Sequence, residues 1–144
     1  MTLTLRPANQ ADAQLLFDWR NDPLTRRNSV DTSQVAWPDH VRWLSASLSR
    51  SDRRLLIAEL GQKAIGTVRL DHAADRCTLS WTVAPAHRGR GIGKALVHRA
   101  IAEAGVAILF ALIKDDNIAS IRIAEACGFK RVSCSDGLAL YRRG

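Results

Sequence analysis

The chain has 144 residues, a formal net charge of +7 and an isoelectric point near 10.2. That length is typical of one domain, residues 1–144, which buries enough surface for a core without disulfides or metal ions. The positive charge favours anionic partners, whether coenzyme phosphates, acidic sugars or nucleic acid, and does not choose among them. No apolar run approaches the roughly 20 residues that span a bilayer, so no membrane partner is expected.

The cysteines and the first residues indicate the compartment. The three cysteines are odd in number and lack the paired spacing of a metal site. The opening MTLTLRP has no basic stretch that leads into an apolar signal segment. We therefore expect a reduced, cytoplasmic protein without a metal ion.

The hydrophobic pattern predicts strands that alternate with helices. Strand patterns occupy residues 2–6, 55–60, 64–71, 78–83, 106–113, 129–133 and 138–142. Helical spacing predicts helices from a cap at Asn9 to about Arg20, behind Pro38 and Asp39, and over residues 92–104 and 117–126. The run VAILFALI at residues 106–113 is typical of a strand covered on both faces. The expected fold class is α/β, with a mixed, mostly antiparallel sheet flanked by helices.

The segment HRGRGIGKAL, residues 87–96, places glycines at alternate positions where a predicted strand gives way to a helix. The first turn of a helix has unpaired N–H groups and partial positive charge, so glycines there form a good phosphate cradle. Arg88, Arg90 and Lys94 add full charges. The spacing fits neither the dinucleotide fingerprint nor the P-loop. A glycine-rich turn that closes a basic surface is the alternative.

The loop has the pattern R-x-x-G-x-G, with WTVAP before it and NIASIRIAEACGF after it. Together these motifs resemble the GNAT superfamily of acetyl-CoA-dependent N-acetyltransferases over nearly the whole chain. The resemblance implies the GNAT fold and acetyl-CoA as cosubstrate, with pyrophosphate on the loop amides and the pantetheine arm on the preceding strand. It assigns the coenzyme to Val83, Ala84, Arg88, Gly89, Arg90, Gly91, Ile92, Gly93, Lys94 and Asn117. Valine at Gly91 or Gly93 is then expected to weaken coenzyme binding while the fold survives.

The N-terminal half resembles one GNAT subgroup more closely. WRNDP at residues 19–23, followed by His-x-x-Trp, is similar to enzymes that acetylate nucleotide-linked amino sugars, as in pseudaminic acid biosynthesis. The ribosomal-protein acetyltransferases share parts of this pattern, so a protein N-terminus is the alternative acceptor. Arginines pair with phosphate and aromatic rings stack on sugars or bases. The expected acceptor residues are Arg20, Arg26, Arg27, Trp37 and His40.

Two tryptophans have a simpler interpretation. Trp19 lies on the apolar stripe of the first helix and is expected in the core, as is Trp43. Cys127 is likewise expected to be a packed residue rather than a nucleophile. The expected acceptor is an amine on a small molecule or on a nucleotide sugar. Formation of a homodimer is left open.

The acid that protonates the leaving thiolate is not the usual one. Many GNAT enzymes have a tyrosine seven residues after the asparagine, where this chain has Ala124. Ser120, one turn after Asn117, matches the serine of the ribosomal-type branch, and Tyr141 is a second candidate. Alternatively, Ser120 bonds its own helix backbone and Tyr141 is a strand residue without a catalytic role.

The sequence also does not identify the base that deprotonates the acceptor amine. Where family members often carry a glutamate, this chain has Thr78. Of Glu59, Asp71 and His72, the histidine has the most suitable intrinsic pKa for a base. An acceptor amine with a pKa near 8 also needs little help from a base.

Two functions other than acetyl transfer remain open. A basic chain could bind nucleic acid, but it has no zinc-finger spacing, recognition helix or aromatic RNA-binding signature, so nucleic acid is not the expected partner. The missing tyrosine and glutamate leave open a regulatory module that senses acetyl-CoA without catalysis.

Overall fold

The computed structural model describes residues 2–144. Its strands are β1 (Leu3–Pro7), β2 (Arg53–Leu60), β3 (Lys63–Ala73), β4 (Arg76–Val83), β5 (Ile108–Lys114), β6 (Lys130–Ser135) and β7 (Leu138–Arg143). Its α-helices are α1 (Ala13–Asn21), α2 (Pro23–Arg27), α3 (Trp37–Ser49), α4 (Ile92–Ala104) and α5 (Ile118–Ala126). Short 3-10 turns at Gln10–Asp12 and Pro85–His87 lead into α1 and toward α4.

The strands form one seven-stranded sheet in the order β1-β2-β3-β4-β5-β7-β6. Neighbouring strands are antiparallel except β4 and β5, which are parallel. The predicted single-domain α/β fold with a mixed, mostly antiparallel sheet is therefore confirmed.

Strand β2 shows why the protein needs helices on both sides of the sheet. Leu55 and Ile57 pack with Trp19 and Leu44 under α1 and α3. Leu56 points to the opposite side, into a larger core under α4 and α5. Because successive side chains of a strand alternate, four consecutive buried residues supply two cores. We call the two sides the α1–α3 face and the α4–α5 face.

Two elements differ from the sequence prediction. Helix α2 lies inside the polar segment 21–34, where no helix was predicted; Asp22 caps it and Pro23 begins it. Strand β5 is not covered on both faces, because α1 and α3 pack over β2, farther across the sheet, and leave Leu112 55% exposed.

Trp19 is buried and Cys127 is packed in the core, as predicted. Trp43 is 38% exposed, so its predicted core position is wrong; its ring stacks on the ring of His40 instead. Within residues 2–144, no helix combines the length and the apolar content that crossing a membrane requires.

Candidate active site

The sheet opens between its two parallel strands. Backbone pairing of β4 with β5 covers Arg76–Thr78 against Ile108–Phe110. Beyond these pairs, β4 continues to Val83 and β5 to Lys114 along their other neighbours, β3 and β7. We call the opening between residues 79–83 and 111–114 the β4–β5 cleft. Its facing backbone edges can pair with amide groups of an extended ligand, as a strand would.

Val83 faces this cleft and Ala84 does not. The Ala84 N–H donates to the carbonyl of Ile65 at 2.8 Å, and the Ala84 carbonyl accepts from the N–H of His87 at 2.9 Å. Because successive strand residues point their backbone groups to opposite edges, those of Val83 point into the cleft. The geometry therefore supports Val83 as a ligand of the pantetheine arm. It corrects the prediction for Ala84, whose backbone groups are engaged within the protein.

The loop before α4 has the backbone of an anion site. Gly89 and Gly91 have φ of +75°, and a Cβ at either would meet no atom within 4 Å. Gly91 caps α4 without a side-chain hydrogen bond. The first helical bond runs from the N–H of Ala95 to the Gly91 carbonyl at 3.4 Å, so the N–H groups of residues 92–94 have no partner within the helix. These groups and the helix dipole suit a pyrophosphate.

The cationic side chains around this loop have different surroundings. Arg90 and Lys94 are exposed and form no ion pair in the described part of the chain. Arg88 instead donates from Nη2 to Asp22 Oδ2 at 2.7 Å and to Thr25 Oγ1 at 2.9 Å. The prediction that the Arg88 side chain binds phosphate is corrected, because its guanidinium already binds the carboxylate of Asp22.

The contact with Arg88 affects the pKa of the Asp22 carboxyl group. Burial alone would raise its pKa, but the hydrogen bonds from Arg88 and Thr25 outweigh burial and hold the pKa below its ordinary value. Asp22 is therefore an anion at neutral pH, and it caps α2 by accepting from the Thr25 N–H at 3.1 Å. Sequence analysis missed this pair. The signal was present in WRNDP, which contains Asp22, but nothing local identifies a partner 66 residues away.

Gly93 matters for the packing of α4 against α5, unlike Gly91. It is buried, and a Cβ at this position would overlap Cδ1 of Ile123 on α5. The absence of a side chain lets α4 and α5 approach closely. Gly93→Val therefore has to displace the Ile123 side chain and disturbs the contact between α4 and α5, whereas Gly91 faces open space.

Asn117 and Ser120 lie where α5 begins. Asn117 Oδ1 accepts from the backbone N–H of Ser120 at 3.3 Å, so Asn117 caps the helix. The Ser120 hydroxyl has no hydrogen bond to residues 2–144 and is half-buried, so the alternative that it bonds its own helix is not observed. Tyr141 is 3% exposed, on the α4–α5 face opposite Ala111 of β5. Both hydroxyls remain candidates for the acid.

The candidate bases lie beside the closed end of the cleft or are held in ion pairs. His72 is paired with Cys77, next to the closed end of the β4–β5 pair. The cleft begins at Leu79, two residues after Cys77, or about 7 Å at the rise of a strand. The role of His72 as base stays a prediction. Glu59 is bound to Arg6 at 3.2 Å, and Asp71 to two arginines, at 2.7 and 2.8 Å.

Trp81 contributes a donor that sequence analysis did not single out. Its Nε1 is buried and has no hydrogen-bond partner anywhere from residue 2 onward. The residue lies on the part of β4 that lines the cleft. A buried donor without an acceptor costs about 1–3 kcal/mol, so an acceptor atom of a bound group would stabilise it. The tryptophan of WTVAP was the available signal.

Most predicted acceptor residues have structural roles. Arg20 Nη2 donates to the carbonyl of Asp31 at 2.9 Å, and Arg26 Nε donates to that of Thr32 at 3.1 Å. His40 is 2% exposed, with Nε2 at 2.8 Å from the carbonyl oxygen of Ala13.

The prediction for His40 is corrected, because the side chain is buried and its Nε2 is engaged. Arg20 and Arg26 each have only one nitrogen engaged, and Arg20 Nη1 is buried without a partner among residues 2–144, so their roles stay predictions. Arg27 and Trp37 are exposed and remain available.

A groove on the α1–α3 face adjoins the open end of β5. Its volume is about 710 Å³, and it is lined by Val30, Leu112, Lys114, Asp115, Asp116, Ser133, Ser135, Asp136, Gly137, Leu138 and Leu140. Lys114 Nζ donates to the carbonyl of Arg27 at 2.9 Å. The three aspartates have no ion pair among residues 2–144. We call this the acidic groove; it can hold a compact cation with an apolar part.

No group of three or more His, Cys, Asp or Glu side chains among residues 2–144 is arranged to hold a metal ion. The chain's own groups fit coenzyme A in three respects: unpaired strand edges for an amide-containing arm, unpaired N–H groups at α4, and free charges at Arg90 and Lys94.

Comparison with known proteins identifies the family. Residues 2–130 match the acetyltransferase (GNAT) domain. A curated L-methionine sulfoximine/L-methionine sulfone acetyltransferase of Salmonella typhimurium is 29% identical over 138 residues, covering 88% of this chain and 80% of the relative.

Two solved structures have the same fold. The ribosomal-protein-alanine N-acetyltransferase of Brucella melitensis is 25% identical, with a TM-score of 0.79 and coverage of 97% of this chain and 98% of that one. The spermidine N-acetyltransferase of Vibrio cholerae, in complex with CoA and spermine, has a TM-score of 0.86 at 17% identity, over 98% of this chain and 93% of that one. The chain belongs to the GNAT acetyltransferase family and is an acetyl-CoA-dependent N-acetyltransferase.

Proposed function

We propose that this protein transfers the acetyl group of acetyl-CoA to a primary amine of a small molecule, with the coenzyme in the β4–β5 cleft. The observation that carries the proposal is the adjacency of two features. Strand edges left unpaired up to Val83 suit the amides of pantetheine, and the open N-terminus of α4 at Gly91 suits pyrophosphate. Both lie at the same end of β4.

The chemistry needs few ionisable side chains. Acetyl-CoA supplies the acetyl group as an activated thioester. Ser120 and Tyr141 each have a hydroxyl without a protein partner in the described chain, and either can donate a proton to the leaving sulfur. A free thiol has a pKa near 8.5, so this help is modest in effect. Because two of the three candidate bases, Glu59 and Asp71, are held in ion pairs, we propose an acceptor whose amine has a pKa near 8 and is partly neutral at working pH.

Two acceptor classes are supported by different residues. A nucleotide-linked amino sugar, as the sequence resemblance implies, is supported by the exposed Arg27 and Trp37. Arg20 and Arg26 each give one donor group to a backbone carbonyl, which leaves fewer N–H donors for two phosphates.

The acidic groove instead supports a compact amine without phosphate. Unpaired aspartates such as Asp136 repel phosphate and attract a cation, and Leu112 and Leu140 offer apolar contact. The groove is continuous with β5, one wall of the cleft. We therefore propose a compact primary amine, such as the α-amine of an amino acid, as the better acceptor. A protein N-terminus is the third candidate.

The test measures thiol release from acetyl-CoA with three acceptors: a nucleotide-linked amino sugar, L-methionine sulfone and a peptide with an N-terminal alanine. We expect L-methionine sulfone to give the highest kcat/KM. Asp136→Asn should lower that value and Arg27→Ala should not. Asp75→Asn, in the exposed turn after β3, is the matched control.

A higher kcat/KM for the amino sugar that falls in Arg27→Ala would instead support the nucleotide-sugar acceptor. Coenzyme binding without thiol release for any amine would support a module that senses acetyl-CoA.

The state of the cysteines supports a reducing compartment. Cys77 and Cys127 are free and buried, and Cys134 is free and exposed. Exposed free thiols persist in reducing surroundings, so we propose the cytoplasm as the location.

A further inference from the structure

Helix α2 spans the open end of the β4–β5 cleft. Its first turn is bound by Arg88, which follows β4, and its last carbonyl, that of Arg27, is bound by Lys114 at the end of β5. The two contacts link α2 to residues 66 and 87 positions away. One contact comes from the segment that follows β4, and the other from the last residue of β5.

Polar contacts at both ends help to hold α2 in place, together with its connection to α1 through Asp22. None of the residues in Pro23–Arg27 is buried, so α2 contributes no fully buried side chain to the core. Five residues are also too few for a helix to be stable by propensity alone. Beyond its connection to α1, the position of α2 therefore depends on polar contacts such as those at its two ends.

The Arg88 contact is the more informative of the two because of where its backbone lies. Arg88 directly precedes the loop of Gly89 and Gly91, whose amides are proposed to bind pyrophosphate. Its side chain reaches Asp22 and Thr25 at the start of α2. A single residue thus connects the coenzyme loop with the element that precedes Val30, a lining residue of the acidic groove.

We propose that the Asp22–Arg88 pair is a latch through which the coenzyme loop positions α2, so that coenzyme binding and the acceptor side of the cleft stabilise each other. Arg88 and Asp22 are positioning residues, and neither needs to touch a reacting atom. The inference rests on the proposed coenzyme site. Coupling of this kind is reciprocal: whatever holds the loop in place holds α2, and the reverse.

Asp22→Asn removes the charge of the latch and keeps the helix cap. Because one oxygen, Oδ2, accepts from both Arg88 and the Thr25 N–H, an amide oxygen there can still accept a neutral hydrogen bond from Arg88. Asparagine is as good a cap as aspartate, so its side-chain oxygen can still accept from the Thr25 N–H. It removes the charge that binds Arg88. Arg88→Gln removes the same ion pair from the other side. Asp39→Asn is the matched control, since it makes the same change in an exposed ion pair with Arg42 on α3, away from the cleft.

The experiment uses the full chain and coenzyme A as the probe. Calorimetry gives the affinity of each variant for coenzyme A, and amide hydrogen exchange of residues 22–32 is then followed without ligand and at matched saturation. In the wild-type protein and in Asp39→Asn, coenzyme A should slow exchange in this segment about fivefold or more. In Arg88→Gln this slowing should disappear, and in Asp22→Asn it should be reduced, because a neutral hydrogen bond to Arg88 is weaker than the ion pair.

Lys114→Met gives an internal comparison. Loss of its contact with the Arg27 carbonyl should raise exchange in α2 with and without the ligand, but the response to coenzyme A should persist because the latch is intact. A merely structural role of Asp22 would produce this same pattern, so the two variants distinguish a positioning residue from a structural one.

The outcomes are separable. Coenzyme A that binds but slows exchange equally in wild-type protein and Asp22→Asn would overturn the latch and leave the proposed function standing. The latch would also be overturned if the ligand bound to wild-type protein without changing exchange in residues 22–32. No binding of coenzyme A to the wild-type protein would overturn the proposed function itself.

Discussion

Gly93 allows a quantitative test of the contact between α4 and α5. An added Cβ would overlap Cδ1 of Ile123. Overpacking of this kind costs about 1–3 kcal/mol. Replacement of glycine by alanine in a helix returns about 1 kcal/mol of propensity. We therefore expect Gly93→Ala to lower the free energy of unfolding by up to about 2 kcal/mol.

The second substitution, Ile123→Val, removes the atom that would be in the way. Alone it should cost about 0.5–1.5 kcal/mol, since it deletes one partly buried methyl group. In the double variant with Gly93→Ala the new methyl occupies the space of the old one. The double variant should then be at least as stable as Ile123→Val, with a favourable coupling of about 1–2 kcal/mol.

The assay is urea unfolding followed by circular dichroism, with equal m-values required in all variants. Gly91→Ala is the control, because a Cβ at Gly91 meets no protein atom within 4 Å. Its cost of about 1–2 kcal/mol comes from the left-handed backbone and should add to that of Ile123→Val. Additive costs for the pair Gly93 and Ile123 would refute the packing argument. Calorimetry should show weaker coenzyme A binding in Gly91→Val and unchanged binding in the Gly93→Ala/Ile123→Val variant.

Three further predictions concern a carboxyl group, the cysteine thiols and the Ser120 hydroxyl. Hydrogen bonds from Arg6 at 2.8 and 2.9 Å outweigh burial and hold the pKa of Asp12 below its ordinary value. This stabilisation is present above the ordinary carboxyl pKa and lost as pH falls toward the folded-state pKa, so Asp12→Asn should flatten the loss of stability in acid, measured by urea unfolding. A thiol reagent at pH 8 should label Cys134 in the native protein and all three cysteines in urea, because burial raises the pKa of the other two thiols; two fast native thiols would contradict this. Ser120→Ala should lower kcat with little change in KM, while wild-type turnover in that variant and inactivity of Tyr141→Phe would move the acid role to β7.

Elements with a long apolar period were predictable. The stripe from Ile92 to Ala104, closed by Gly105, gave α4 its observed bounds. Helix α2 was not predictable, because five residues carry no such stripe and their conformation depends on Asp22 and on an arginine distant in sequence.

Side-chain roles were harder to predict than backbone roles. The backbone geometry at Gly91 and Val83 is consistent with the roles predicted for them, because their contribution is the direction of the backbone, which the motif encodes. Arg88 and His40 were assigned to ligands because residue type suggests chemistry but does not reveal a partner inside the protein. A charged or aromatic residue near a site contributes to it only if the fold leaves its polar atoms free.

The short parallel contact between β4 and β5 also has a mechanical consequence. Three pairs of residues join one antiparallel half of the sheet to the other, and α4 and α5 pack across both halves. Because β4 and β5 are not paired beyond Thr78, we expect a small change in the spacing of the helices to give a larger displacement at the tips of the two strands. The width of the proposed coenzyme gap would then depend on side-chain volume in the core, without any substitution among the groups that react. Variants with acyl donors larger than acetyl should be sought in the packing of α4 against α5 rather than along the cleft walls.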